Sequence, residues 1–155
     1  MSDKQFPFTQ TSIYIDVFSY LGLPLSRDFA SDDVDAVVMG IPYDLGTTGR
    51  PGARSGPNAV RQASANLRWE EQRWPWGFAL ADRLAAIDFG DVRFLSGDSE
   101  DMLAQVERLA ATITGAGKTL LSLGGERQTT PHRWPRLALG IAVGALALLP
   151  QIGFL

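Results

Sequence analysis

Three short apolar runs set the strongest limit on what this chain folds into. Val34 to Ile41 contains the run Val37-Val38-Met39, Leu84 to Phe89 is the second, and Thr119 to Leu123 the third. The first is continuous in the manner of a strand buried on both faces of a parallel sheet, and all are short for helices. Segments with helical apolar spacing lie between them. The order strand, loop, helix, strand, helix, strand predicts an α/β fold in which helices cover a mostly parallel sheet. Three strands make only part of a sheet, and no internal repeat completes it.

The intervening segments carry their own boundary signals. Pro42 to Pro57 reads PYDLGTTGRPGARSGP, with four glycines and three prolines, which specifies turns rather than disorder and places a loop at a strand end, where function often sits. Pro57 suits a first helical turn, and Ala59, Val60, Ala63 and Leu67 supply a predicted apolar stripe that runs on into Arg68-Trp69-Glu70-Glu71 and stops before Pro75. Trp69, Trp74, Trp76 and Phe78 cluster around Pro75. They read either as packing for a helix end or as a subunit contact or pocket wall. Asp98-Ser99 predicts a helix cap, with Glu100 and Asp101 in the first turn. Met102 or Leu103, Val106, Leu109 or Ala110, and Ile113 form the face toward the sheet, and Gly115 and Gly117 end the helix. Asp88 and Asp91 close the second strand. They stand where parallel sheets bind ligands, or they form a solvated turn in which Asp91 bonds nearby backbone. Both readings are open.

Composition excludes several classes. The 155 residues suffice for one domain with a core. The 17 acidic and 14 basic residues give a formal charge of -3, with the basic residues scattered singly, so no nucleic-acid partner is expected. The absence of cysteine removes disulfide scaffolds, zinc ribbons and thiol nucleophiles. The first ten residues lack a secretory core, so a cytoplasmic location is the default expectation. Leu137 to Leu155 is free of charge and holds Gly140, Gly144, Pro150 and Gly153. Three readings of this tail stand open: a non-native or frame-shifted continuation, a buried helix and strand of the fold, or a membrane or interface segment. Outside the last, no membrane partner is expected.

The chemistry is narrowed by what is absent. There is no G-x-S-x-G elbow, no phosphate-binding G-x-x-x-x-G-K-[ST] and no G-x-G-x-x-G after the first strand. Leu120 to Arg127 reads as a buried strand opening into a Gly124-Gly125 turn, a place for a reactive group, and it displays Glu126 and Arg127. His132, the one histidine, lies among Pro131, Arg133 and Trp134 without an acid partner, and no Asp or Glu follows Glu126.

These motifs together resemble the ureohydrolase family of arginase, and most nearly its bacterial agmatinase type. The likeness runs from about Ser19 to Gly125 and is carried by Gly40-Ile41-Pro42-Tyr43-Asp44, by the loop GTTGRPGARSGPNAVRQAS from Gly46 to Ser64, and by Asn66-Leu67-Arg68-Trp69-Glu70. It continues through Arg73-Trp74-Pro75-Trp76, Ile87-Asp88-Phe89-Gly90-Asp91, Ala116-Gly117-Lys118 and Leu121-Ser122-Leu123-Gly124-Gly125. The resemblance implies a partial three-layer α/β/α arginase-like fold and a family chemistry in which two manganese ions activate a hydroxide to release urea from guanidino groups. Carboxylates and imidazoles suit such ions, and a metal pair about 3.5 to 4 Å apart both activates water and stabilises the intermediate. The family takes a ligand from the histidine of a Gly-Gly-Asp-His motif and others from later D-x-H-x-D and D-x-D motifs. Here Glu126 falls at the aspartate and Arg127 at the histidine. A guanidinium has no lone pair for a metal and stays protonated. The resemblance therefore implies an altered metal-site motif at Glu126 and Arg127, no metal ligand, no catalytic residue and no bound cofactor in this chain. Asp44, Arg50 and Arg54 fall in the family loop near the active site, where the arginines shape the loop and Asp44 neutralises one of them.

The organisation this implies is an N-terminal arm over 1–32, the N-terminal part of a ureohydrolase-like domain over 33–127, and a divergent apolar tail over 128–155. Three functional expectations follow: a truncated agmatinase-like hydrolase by ancestry that is inactive alone, a non-catalytic partner in a homo- or hetero-oligomer with a ureohydrolase homologue, or a tail-anchored module. Low stability as a monomer is expected unless the tail supplies a strand or helix to a sheet edge.

Overall fold

The structure, a computed structural model, describes residues 17–49, 51–69, 77–79, 82–124 and 138–142. Four strands form one sheet: β1 (Ala36–Ile41), β2 (Ala86–Asp91), β3 (Thr119–Gly124) and β4 (Ala138–Ala142). Their order is β2-β1-β3-β4 and every pair is parallel. The first three coincide with the predicted apolar runs, with ends displaced by one or two residues. The fourth lies within the tail. Ala138–Ala142 extends the sheet beside β3, so a continuous helix from Leu137 is excluded over those five residues.

Side-chain alternation assigns the two faces. Val37, Met39 and Ile41 of β1, Ile87 and Phe89 of β2, and Leu120 of β3 form one cluster with Met102, Val106, Ala110 and Ile113. These last four are the inward stripe of α2 (Ser99–Gly115), as the helical spacing predicted. Asp98 caps that helix: its carboxylate accepts the Glu100 and Asp101 N–H groups at 3.0 and 2.9 Å. β1 is buried along its whole length, as a central strand between helical layers must be.

The opposite face belongs to α1 (Gly56–Ala65), and here the predicted stripe is corrected. Pro57, Arg61, Ser64 and Ala65 turn inward, whereas Ala59 and Ala63 are exposed, Leu67 is 38% exposed and Val60 is half-buried. An ion pair decides the helix rotation in place of apolar content. The helix also ends earlier than its pattern suggests, passing at Asn66–Trp69 into a 3-10 turn.

The β1–β2 register contains one irregularity that shapes everything above it. Val38 pairs with Asp88, but Met39 pairs with Gly90 and Gly40 with Asp91, so Phe89 is an extra residue in β2. Gly90 supplies the left-handed conformation at this bulge, with φ 82°. Asp88 and Asp91 are three apart and would otherwise face opposite sides. The bulge brings both to the α1 side.

The described part of the arm lies against the outer edge of β2. A 3-10 turn at Tyr20–Gly22 contacts α1, and Leu25 forms an isolated parallel bridge with Asp88. The result is part of an α/β/α fold, a parallel sheet flanked by helices.

Candidate functional site

The carboxyl ends of the parallel strands, where sheets of this kind place ligands, bring together Asp44 after β1, Asp91 at the end of β2 and Gly124 at the end of β3. Asp44 organises the long loop. Its side chain is 2% exposed and accepts the Gly52 N–H at 2.8 Å and the Arg54 N–H at 3.4 Å, while the Arg54 Nε lies 3.0 Å from Oδ1 and 3.1 Å from Oδ2. The Gly52 N–H, with the Arg54 contacts behind it, holds the Asp44 carboxyl below the usual aspartate range against the opposing effect of burial. Arg54 is 60% exposed, so it closes the loop from the solvent side. Next to Asp44, the buried Tyr43 hydroxyl shares a hydrogen bond with Ser99 Oγ and its ring meets Phe94 edge-on at 6.1 Å, tying this strand end to the start of α2.

The second constellation escaped sequence reasoning. Arg61 of α1 donates from Nε and Nη2 to Asp88 Oδ2 and Oδ1 at 2.8 and 2.9 Å, and from Nη1 to Asp91 Oδ1 at 2.7 Å. The Arg61 and Asp88 side chains are 4% and 0% exposed, and that of Asp91 is 37% exposed. Burial by itself lowers the Arg61 pKa, but the hydrogen bonds to Asp88 and Asp91 outweigh it and leave the guanidinium more firmly protonated. Gly40 makes the passage for this bridge. A Cβ there would sit 1.9 Å from Asp91 Oδ1 and 3.1 Å from both terminal Arg61 nitrogens. One signal was available in the sequence: a three-residue aspartate spacing that only a bulge makes one-sided.

The structure gives Asp88 and Asp91 a role that neither sequence reading names: the two are a buried and a half-buried partner of one arginine. Arg50, Glu126, Arg127, His132, Trp74 and Trp76 lie outside the described residues, so the Gly-Gly turn is known here only by its sequence. Phe78 is described, with the Arg83 guanidinium 5.3 Å from its ring centre.

This donor set does not fit a metal pair. Among the described residues no group of three or more His, Asp or Glu side chains is placed to hold an ion. Asp44 is committed to Gly52 and Arg54, and Asp88 and Asp91 to Arg61. A cation would have to displace a guanidinium from either group.

A parallel sheet with a helix on each face, and a Gly- and Pro-rich loop rising from the carboxyl end of its central strand, make up part of an arginase-like α/β/α fold. The chain belongs to the arginase family, whose family model matches residues 34–138. It is 41% identical over 122 residues to the agmatinase of Proteus mirabilis, covering 79% of this chain and 40% of that protein. The crystal structure of a hypothetical agmatinase from Burkholderia thailandensis is similar with a TM-score of 0.68 and 42% identity, covering 74% of this chain and 36% of that one. A formiminoglutamase from Trypanosoma cruzi, whose crystal structure contains Mn2+, is 28% identical with a TM-score of 0.54, covering 63% of this chain and 33% of that one. The chain thus spans about two fifths of the length of the curated relatives it matches.

Proposed function

We propose that these residues carry the loop-bearing N-terminal part of an agmatinase-like ureohydrolase, over 33–127, and do not by themselves hydrolyse a guanidino substrate. The arm over 1–32 and the tail over 128–155 flank that part. The observation that carries this reading is the commitment of every carboxylate at the described strand ends to a guanidinium or a backbone N–H. Arg127 at the family's histidine position, and the lack of any Asp or Glu after Glu126, support it from the sequence. Asp44 and Arg54, with Arg50 in the same loop, are assigned to shaping the loop rather than to reacting. The direct test is calorimetric titration with manganese alongside a urea-release assay on agmatine. Neither saturable binding nor urea release is expected, and stoichiometric tight binding would overturn the reading.

A second reading, a non-catalytic partner that packs onto a full-length ureohydrolase homologue, is favoured by the exposed Ala59 and Ala63 on the outer face of α1 and Leu67 in the turn after it. Co-expression with such a homologue followed by size-exclusion chromatography tests it, and separate elution would remove it. For the tail-anchored alternative, no helix among the described residues is long and apolar enough to cross a membrane.

A further inference from the structure

The described stretch ahead of β1 is attached through its backbone more than through its side chains. Between residues 17 and 31 only Ser19 is buried, Val17 and Leu25 are 75% and 51% exposed, and Phe29 is the side chain that packs partly against the core. Four hydrogen bonds from its backbone hold the segment: Tyr20 N–H to Asp88 Oδ2 at 2.8 Å, Leu21 N–H to Ser64 Oγ at 2.8 Å, Ser26 N–H to the Asp88 carbonyl at 3.1 Å, and Asp88 N–H to the Pro24 carbonyl at 2.9 Å. Three of the four end on Asp88, whose carboxylate also carries Arg61. Arg27 adds two contacts beyond them: its Nη2 donates to the Asp91 carbonyl at 3.4 Å, and its guanidinium lies 4.8 Å from the Phe89 ring centre. Leu21 is in the left-handed region, φ 52°, a strained conformation for leucine that persists only while the surroundings enforce it. At the far end, Lys118 Nζ donates to the Ser31 carbonyl at 2.9 Å and anchors the chain before it enters β1.

We propose that residues 17–29 form a strap that lifts from the sheet as a unit about an anchor at Ser31, with Asp88 as the catch that couples its release to α1. A segment held by few hydrogen bonds and little apolar burial belongs to the low end of local opening energies. Lifting it removes from Asp88 the Tyr20 and Ser26 N–H donors and the Pro24 carbonyl acceptor, removes from Ser64 Oγ the Leu21 N–H donor, and uncovers the outer edge of β2. The coupling is reciprocal, so loosening Arg61 frees the strap through the carboxylate the two share.

Hydrogen exchange of the complete chain, read by peptide mass spectrometry, tests this in the wild type and in Ser64→Ala and Arg61→Lys. In the wild type the Tyr20, Leu21 and Ser26 amides are expected to exchange together and faster than those of β1 and β3. Ser64→Ala, which removes one strap acceptor, should speed strap exchange about fivefold. It should also speed exchange in α1, although alanine is the better helix former. Arg61→Lys should accelerate the strap with α2 unchanged. If Arg61→Lys loosens the whole sheet, the Ser64→Ala comparison carries the test alone. Strap amides that exchange at the β1 rate in the wild type overturn the proposal, and so does a Ser64→Ala strap that speeds up while α1 stays unchanged.

Discussion

A single hydrogen at Gly40 is a condition of the Arg61 bridge. In Gly40→Ala the added methyl would overlap Asp91 Oδ1, so Asp91 must swing away from Arg61. The expected loss is about 2 kcal/mol, near that of a hydrogen bond to a charged group, read as a lower urea midpoint at unchanged slope. Asp88→Ala removes the main counter-charge of a buried guanidinium and should cost about 3–5 kcal/mol. Replacing the whole cluster with apolar residues would cost less, because no charge would be left stranded. Asp44 behaves differently because its partner is exposed. Its pKa is lowered in the folded chain, first by the Gly52 N–H, so its stabilising effect is complete above the ordinary aspartate range and is lost as pH falls below it. Amide exchange at Gly52 and Arg54, corrected for the intrinsic rate, should keep its protection at pH 6 and lose it as acid is added below the ordinary aspartate range. An Asp44→Asn chain with unchanged protection at pH 6 would show that the carboxylate does not hold the loop.

Among the elements, α2 was legible almost residue by residue, because one apolar stripe and one Asp98 cap decide it and no other interaction competes. Asp98→Ala should cost about 1 kcal/mol, measured as a lower thermal midpoint. The rotation of α1 was not legible. Its apolar residues suggested one face and a long-range charge pair chose another, and the aspartate spacing that marks the β2 bulge does not name Arg61 as the partner. The loop between β1 and α1 was recognisable as specified turns from its glycines and prolines. That Asp44 is the residue gathering it depends on contacts eight and ten positions away. Strand β4 was obscured for a third reason: an uncharged run with scattered glycines can be read as a non-native continuation, as a buried helix and strand, or as a membrane or interface segment.

At the scale of the whole molecule, both flanks of the sheet carry partial cover: β4 pairs with β3, and the Leu25 bridge lies on β2. Removing residues 137–155 would expose β3 as an edge and forfeit the β3–β4 ladder. A loss of about 2–4 kcal/mol and a gain in aggregation are expected, checked by thermal melts with light scattering. An unchanged melt would mean that β4 adds nothing to stability. The cluster of Gly40, Arg61, Asp88, Gly90 and Asp91 has a wider consequence. It fastens helix to sheet with charges that bind one another. A frame held by its own side chains in this way needs no bound ion to close it, so a chelator should leave the thermal midpoint of the chain where it was.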